Sequence, residues 1–183
     1  TPRPSPPSPT PATLPSPATL PTPATNAPAP TPPPGDTLAR FDGYGDLRLG
    51  MGASEAQRAW GGELEGKAGP GETCWYFRPV HNRAPSDLAF MVVDDRLVRY
   101  DVGSDRVPAP GGGKVGMLAD DIRRLYPERV TEKPHHYVEG GRYLRIPADD
   151  GPGVLLFETD AAGKVTRWRV GLPPQVDWIE GCA

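Results

Sequence analysis

The chain repeats itself, and that repeat limits the folds open to it. At an offset of 66, Leu49–Trp60 (LGMGASEAQRAW) aligns without gaps on Val115–Tyr126 (VGMLADDIRRLY). Gly, Met, Ala and Arg recur identically, and an aromatic ends both segments. Each reads as a strand or turn running into a short helix, with Ser54 or Asp120 near its start and an acidic first turn. Gly61-Gly62 and Pro127 stop the two helices.

The match continues into strands. Leu88–Asp94 aligns on Val154–Asp160 at the same offset, and Arg96–Val102 on Lys164–Val170 at offset 68. The two extra residues fall in the turn around Asp160–Gly163, where insertions are tolerated. Cys74–Pro79 and Arg142–Pro147 fill the remaining strand position of each copy. The expected fold class is α+β: two tandem helix-plus-three-strand repeats sharing one antiparallel sheet, with the helices on one face. Repeat one covers 41–107, a linker 108–113, repeat two 114–171 and a C-terminal return segment 172–183, all within a domain spanning 37–183.

The first 36 residues have another character. From Thr1 to Pro34 the chain is almost wholly Pro, Thr, Ser and Ala, with Arg3 the only charge. Such a segment has too little apolar surface to offset the entropy of ordering it, so residues 1–36 are expected to be a disordered, semi-rigid tether. With Thr1 in place of Met, the chain is expected to be a processed or excised form. No apolar run reaches the roughly 18 residues of a membrane-spanning helix. A net charge of −3 gives no bulk electrostatic case for nucleic acid or an anionic membrane.

Cys74 and Cys182 stand far apart and outside any C-x-x-C pattern. A disulfide between them fits an oxidising compartment and would pin the C-terminus to the middle of the chain. Two buried free thiols are the alternative.

A Gly-Met step opening a short helix, followed by a meander of strands over Leu47–Val170, resembles the SmpA/OmlA (BamE-type) family of outer-membrane lipoproteins. The duplication is similar to that of β-lactamase inhibitory proteins, whose tandem units present a concave sheet to an enzyme. The spacer resembles the segment that follows the lipid-modified cysteine of bacterial lipoproteins. These resemblances imply a periplasmic or secreted protein held to the outer membrane by lipid.

Strand alternation sorts side chains onto two faces. Val98, Tyr100, Val102, Trp168, Val170, Leu144, Ile146, Trp75 and Phe77 are expected beneath the helices. The opposite face would carry Tyr76, Arg78, Arg99, Asp101, Tyr143, Arg145, Arg167 and Arg169, with no helix left to cover it. Arg and Tyr dominate binding hot spots because they combine planar area with directional donors. That face, with His135, His136 and Tyr137 from the adjoining loop Glu132–Gly141, is the candidate partner-binding surface; an ordinary solvated sheet face is the alternative.

Other motifs fail on context. Gly111–Gly116 matches G-x-G-x-x-G but follows Val107-Pro108-Ala109-Pro110 rather than a strand, so it reads as linker. His135-His136, with His81, lack a ligand set for a metal, and none is expected. Asp149–Gly153 lacks the spacing of a calcium loop and reads as a hairpin turn. Ser54, Ser86 and Ser104 sit in no nucleophile elbow, and no carboxylate pair faces one pocket, so no catalytic residue and no cofactor are expected. The resulting expectation is a non-catalytic envelope protein, an inhibitor or immunity-type binder of a protein partner. The alternatives are an outer-membrane assembly scaffold, or a carbohydrate-binding module stacking sugars on Trp75, Tyr76, Tyr143 and Trp178.

Overall fold

The computed structural model describes residues 2–4, 38–80 and 87–183. The tether expected over 1–36, apart from 2–4, lies outside the described residues, as do His81 and Ser86.

The molecule is mostly β, which corrects the α+β class. Its helices are only α1 (Ala53–Trp60) and α2 (Ala119–Leu125), of 8 and 7 residues. Three two-residue strands, β1 (Ala39–Arg40), β2 (Gly43–Tyr44) and β3 (Leu47–Arg48), form a small sheet of their own. The main sheet has eight antiparallel strands: β4 (Leu64–Glu65), β5 (Cys74–Pro79), β6 (Ala89–Val93), β7 (Arg96–Val102), β8 (Thr131–Pro134), β9 (Arg142–Pro147), β10 (Val154–Thr159) and β11 (Val165–Gly171). Their order is β4-β5-β6-β7-β11-β10-β9-β8.

Two helix-plus-three-strand units therefore do not describe the chain. Each half gives four strands to the main sheet, and the small sheet adds strands that the expected unit did not include, β2 and β3 falling inside the bounds of repeat one and β1 before them. Glu132–Pro134, expected as the start of a loop, belongs with Thr131 to the outer strand beside β9. The loop proper is the shorter span His135–Gly141.

Local chemistry explains the strands. Those at the centre are β-branched and aromatic, and β6 and β10 are buried along their whole length. Asp94 and Asp95 turn β6 into β7 at φ 48 and 60, the left-handed pair that a two-residue hairpin needs. The expected alternation then breaks at one point in each half. The register slips between Met91 and Val92, and again between Glu158 and Thr159. Each slip is a bulge that inserts an extra residue, Val98 in β7 and Thr166 in β11. Val98, expected under the helices, packs instead with Met91 and Val93 on the other face, and Leu97 takes its place in the main core.

That main core lies between the sheet and the two helices with the small sheet. Ala53, Ala56 and Ile122 meet Phe77, Phe90, Tyr100, Phe157 and Trp168 there. Tyr44 carries the small sheet into this core: its ring lies 5.5–6.2 Å from those of Trp60, Phe90 and Tyr100. The Tyr100 hydroxyl donates to the Arg40 carbonyl at 2.6 Å. The glycine run also turns out to pack. A Cβ on Gly113 would fall 2.4 Å from the Phe157 ring, and the Gly113 N–H donates to the Tyr126 hydroxyl.

Candidate binding surface

The face expected to lie open is largely covered. Beyond β11 the chain crosses back over it through a short 3-10 turn, Gln175–Asp177, and ends at the Cys74–Cys182 disulfide. That bond is the expected pairing, and the described residues hold no free cysteine.

Two of the candidate arginines anchor this segment. Arg99 is 3% exposed; it forks onto Asp101 and donates through Nη1 to the carbonyls of Gln175 and Trp178, at 3.0 and 2.7 Å. Burial pushes the Arg99 pKa down, but the Asp101 carboxylate more than offsets this and holds it above its ordinary value. Arg169 is 1% exposed, donates from Nε to the Val176 carbonyl at 2.6 Å and pairs through Nη1 with the buried Glu158. Val176 inserts among Tyr143, Val154 and Leu156, while Trp178 packs with Tyr76, Met91 and Val98. Arg99 and Arg169 are therefore internal clamps, and the expectation of an uncovered sheet face is corrected accordingly.

The other candidates sit at the borders of the covering segment. Arg145 reaches Asp177 at 3.0 and 3.3 Å. Arg78 lies 5.2 Å over the ring of Tyr76, whose hydroxyl pKa burial raises. Arg167 is exposed, opposite Glu158 in the sheet register. Tyr143 is buried beneath His135, their rings stacked at 4.5 Å. Trp75 packs edge-on against Phe77 at 4.4 Å, so of the aromatics considered for sugar stacking, Trp75, Tyr76, Tyr143 and Trp178 are all engaged within the fold.

His135 shapes the loop. Its Nδ1 accepts the backbone N–H groups of Tyr137 and Val138 at 3.1 and 3.2 Å, which leaves the ring proton on Nε2, 3.5 Å from Glu158. His136 stays exposed beside it. Tyr137, at the crest, is 61% exposed, and its hydroxyl donates to Glu180 of the C-terminal segment, a bond that raises the Tyr137 pKa. Loop and C-terminal segment thus brace one another, and Ile179, 37% exposed, continues the crest. A depression of about 590 Å³ lies between them, lined by His136, Tyr137, Trp178, Ile179 and the disulfide.

Sequence reasoning missed Asp177, Ile179 and Glu180. The available signal was the return segment 172–183 itself, where Trp178 and Ile179 precede Cys182 and need a surface to pack against. Among the described residues, no group of three His, Cys, Asp or Glu could hold a metal ion.

No family model matches the chain. It is similar to Kelch-like protein 41 of Mus musculus, 31% identical over 126 residues, which make up 67% of this chain and 19% of that protein. The chain thus spans less than a fifth of the length of that relative. Two solved structures show partial likeness at 14% identity each. One is an extracellular protein containing a SCP domain from Bacillus anthracis str. Ames, with a TM-score of 0.43, covering 68% of this chain and 44% of that one. The other is the uncharacterized protein yfeY from Escherichia coli, with a TM-score of 0.48, covering 73% and 98%. At that level neither speaks to function. The disulfide is compatible with a secreted or periplasmic protein. No helix among the described residues is long and apolar enough to cross a membrane.

Proposed function

We propose that this chain is a non-catalytic protein of the cell envelope, lipid-anchored at the outer membrane through its proline-rich segment, that binds a protein partner as an inhibitor or immunity-type protein. The observation that carries this reading is Tyr137, an aromatic left 61% exposed at the crest of a loop fixed from both sides. His135 ties the loop from below and Glu180 holds the Tyr137 hydroxyl from the C-terminal segment. A rigid exposed tyrosine loses little entropy on docking, and tyrosine is over-represented among the residues that carry binding energy. Ile179 extends the apolar contact, while Arg145, Arg167 and His136 supply a polar border.

Arg99 cannot serve as a probe of this surface, because removing it would release the C-terminal segment. Position 137 can. A photo-crosslinking residue placed there in the full chain, in the native envelope, is expected to capture one protein, and the same residue at Glu55 on α1 is not. Tyr137→Ala should weaken binding of that protein by about tenfold or more, while the melting temperature falls by no more than the loss of one exposed hydrogen bond to Glu180 accounts for. Equal capture at both positions, or unaltered affinity of Tyr137→Ala, would overturn the reading. A soluble enzyme as the captured partner supports inhibition, and outer-membrane machinery supports the scaffold alternative.

A further inference from the structure

Between the outer strand β8 and the C-terminal segment lies a second, narrower cleft of about 230 Å³. Its floor is apolar and fixed: Tyr143 and Leu156 are buried, and Ile179 closes one side. The size is below the roughly 300–1,000 Å³ of drug-sized ligand sites, which restricts an occupant to a small molecule or a single side chain.

The charges around this floor do not balance. Its one carboxylate, Asp177, is held by Arg145 through both oxygens. Arg169 commits Nη1 to Glu158 and Nε to the Val176 carbonyl, and its Nη2 has no protein acceptor among the described residues. Lys133 projects into the lining from β8 and makes no ion pair among the described residues. His136 adds a further donor at the mouth. The open Nη2 of a guanidinium already paired with Glu158 and the exposed, unpaired ammonium of Lys133 therefore meet one apolar floor, leaving a surplus of one positive charge there. A charge-assisted hydrogen bond is about twice as strong as a neutral one, and a partly enclosed site strengthens it further.

We propose that this cleft binds a carboxylate carried on a small apolar body, the carboxylate paired by Lys133 and the open Nη2 of Arg169, the apolar part resting on Leu156 and Tyr143. The site adjoins the Tyr137 crest, with which it shares His136 and Ile179, but its charged groups, Lys133 and Arg169, lie outside that crest and its occupancy does not depend on partner docking there. Its carboxylate comes either from a free small acid or from an acidic side chain of another protein, and the two sources separate experimentally.

The test is an NMR titration of the full chain with 3-phenylpropanoate, with the neutral 3-phenylpropan-1-ol, and with a capped Gly-Glu-Gly peptide. Saturable shifts centred on the amides of Lys133, His136 and Ile179 are expected with 3-phenylpropanoate, about tenfold or more weaker for the alcohol. Lys133→Glu and Lys133→Ala should each lose about that factor for the acid, while Lys164→Glu, elsewhere on the surface, should not. Saturation by the glutamate peptide alone would assign the site to an acidic side chain and keep the carboxylate reading. Equal binding of acid and alcohol, indifference to both Lys133 variants, or saturation by neither acid would overturn the proposal.

Discussion

Arg99 and Trp178, 79 positions apart, are joined by a 2.7 Å hydrogen bond from the Arg99 guanidinium to the Trp178 carbonyl. The same guanidinium holds Asp101 and the Gln175 carbonyl, so one buried cation locks the C-terminal segment to the sheet. Arg99→Met keeps the stem but leaves Asp101 and two carbonyls without their donor. It should cost about 3–5 kcal/mol in urea unfolding, because breaking one side of a buried pair strands the other charge. Hydrogen exchange should quicken across residues 175–183.

The disulfide and the arginine clamps hold the same segment at different points, which makes their effects separable. Replacing Cys74 and Cys182 together with Ser should lower stability by up to about 4.7 kcal/mol, the chain-entropy value for a loop of roughly 100 residues. The segment should stay docked even so, since Arg99 and Arg169 still grip Gln175, Val176 and Trp178. Unchanged protection at Val176, with lost protection at Gly181 and Cys182→Ser, is the expected exchange pattern.

Gly153 shows how closely the small sheet's edge approaches the β9–β10 hairpin. A Cβ there would sit 2.0 Å from the Phe41 carbonyl oxygen, a backbone atom that cannot rotate away. Gly153→Ala should therefore cost about 2 kcal/mol or more by overpacking. Gly151, two residues earlier, has open space around it but φ 93, so Gly151→Ala should cost about 1–2 kcal/mol from backbone strain alone. Thermal melts of the two variants compare contact with backbone strain directly.

Tyr126 supplies a pH-dependent signature. Burial pushes its hydroxyl pKa up to about 12, the Gly113 N–H bond opposing this. A folded pKa above the unfolded value means that the stabilisation is complete below pH 10 and is lost as pH rises through about 12. Absorbance titration should show a tyrosine that ionises late, and this step should vanish in Tyr126→Phe. The variant should also be weaker at neutral pH by about 1–2 kcal/mol, since the Gly113 N–H and Pro110 carbonyl lose their partner.

The long strands and both helices were legible because their apolar and β-branched runs are bounded by turn residues. The cysteine pairing was legible from count and separation. The small sheet was not, since strands of two residues such as Gly43–Tyr44 carry no period to read. Thr131–Pro134 was hidden for a related reason: it is exposed at every position, so its composition is that of a loop. Val98 went to the wrong face because strict alternation has no means of announcing a bulge. Arg99 and Arg169 were read as surface residues because arginine seldom lies in a core unless paired. Of their partners, Asp101 stands two positions along the same strand, whereas Glu158 and the three backbone carbonyls are brought to them by tertiary structure.

The order of the main sheet places β7 against β11, so the last strand of each half meets the last strand of the other. Within each half, neighbouring strands are joined by short connections, and their hairpins are local contacts that close quickly. The central seam joins residues roughly seventy positions apart, a contact whose entropy of closure must be met before any of its hydrogen bonds form. Folding speed is therefore governed at the middle of the molecule, and substitutions at Tyr100 or Val170 should slow refolding more than equally destabilising ones on β5 or β9.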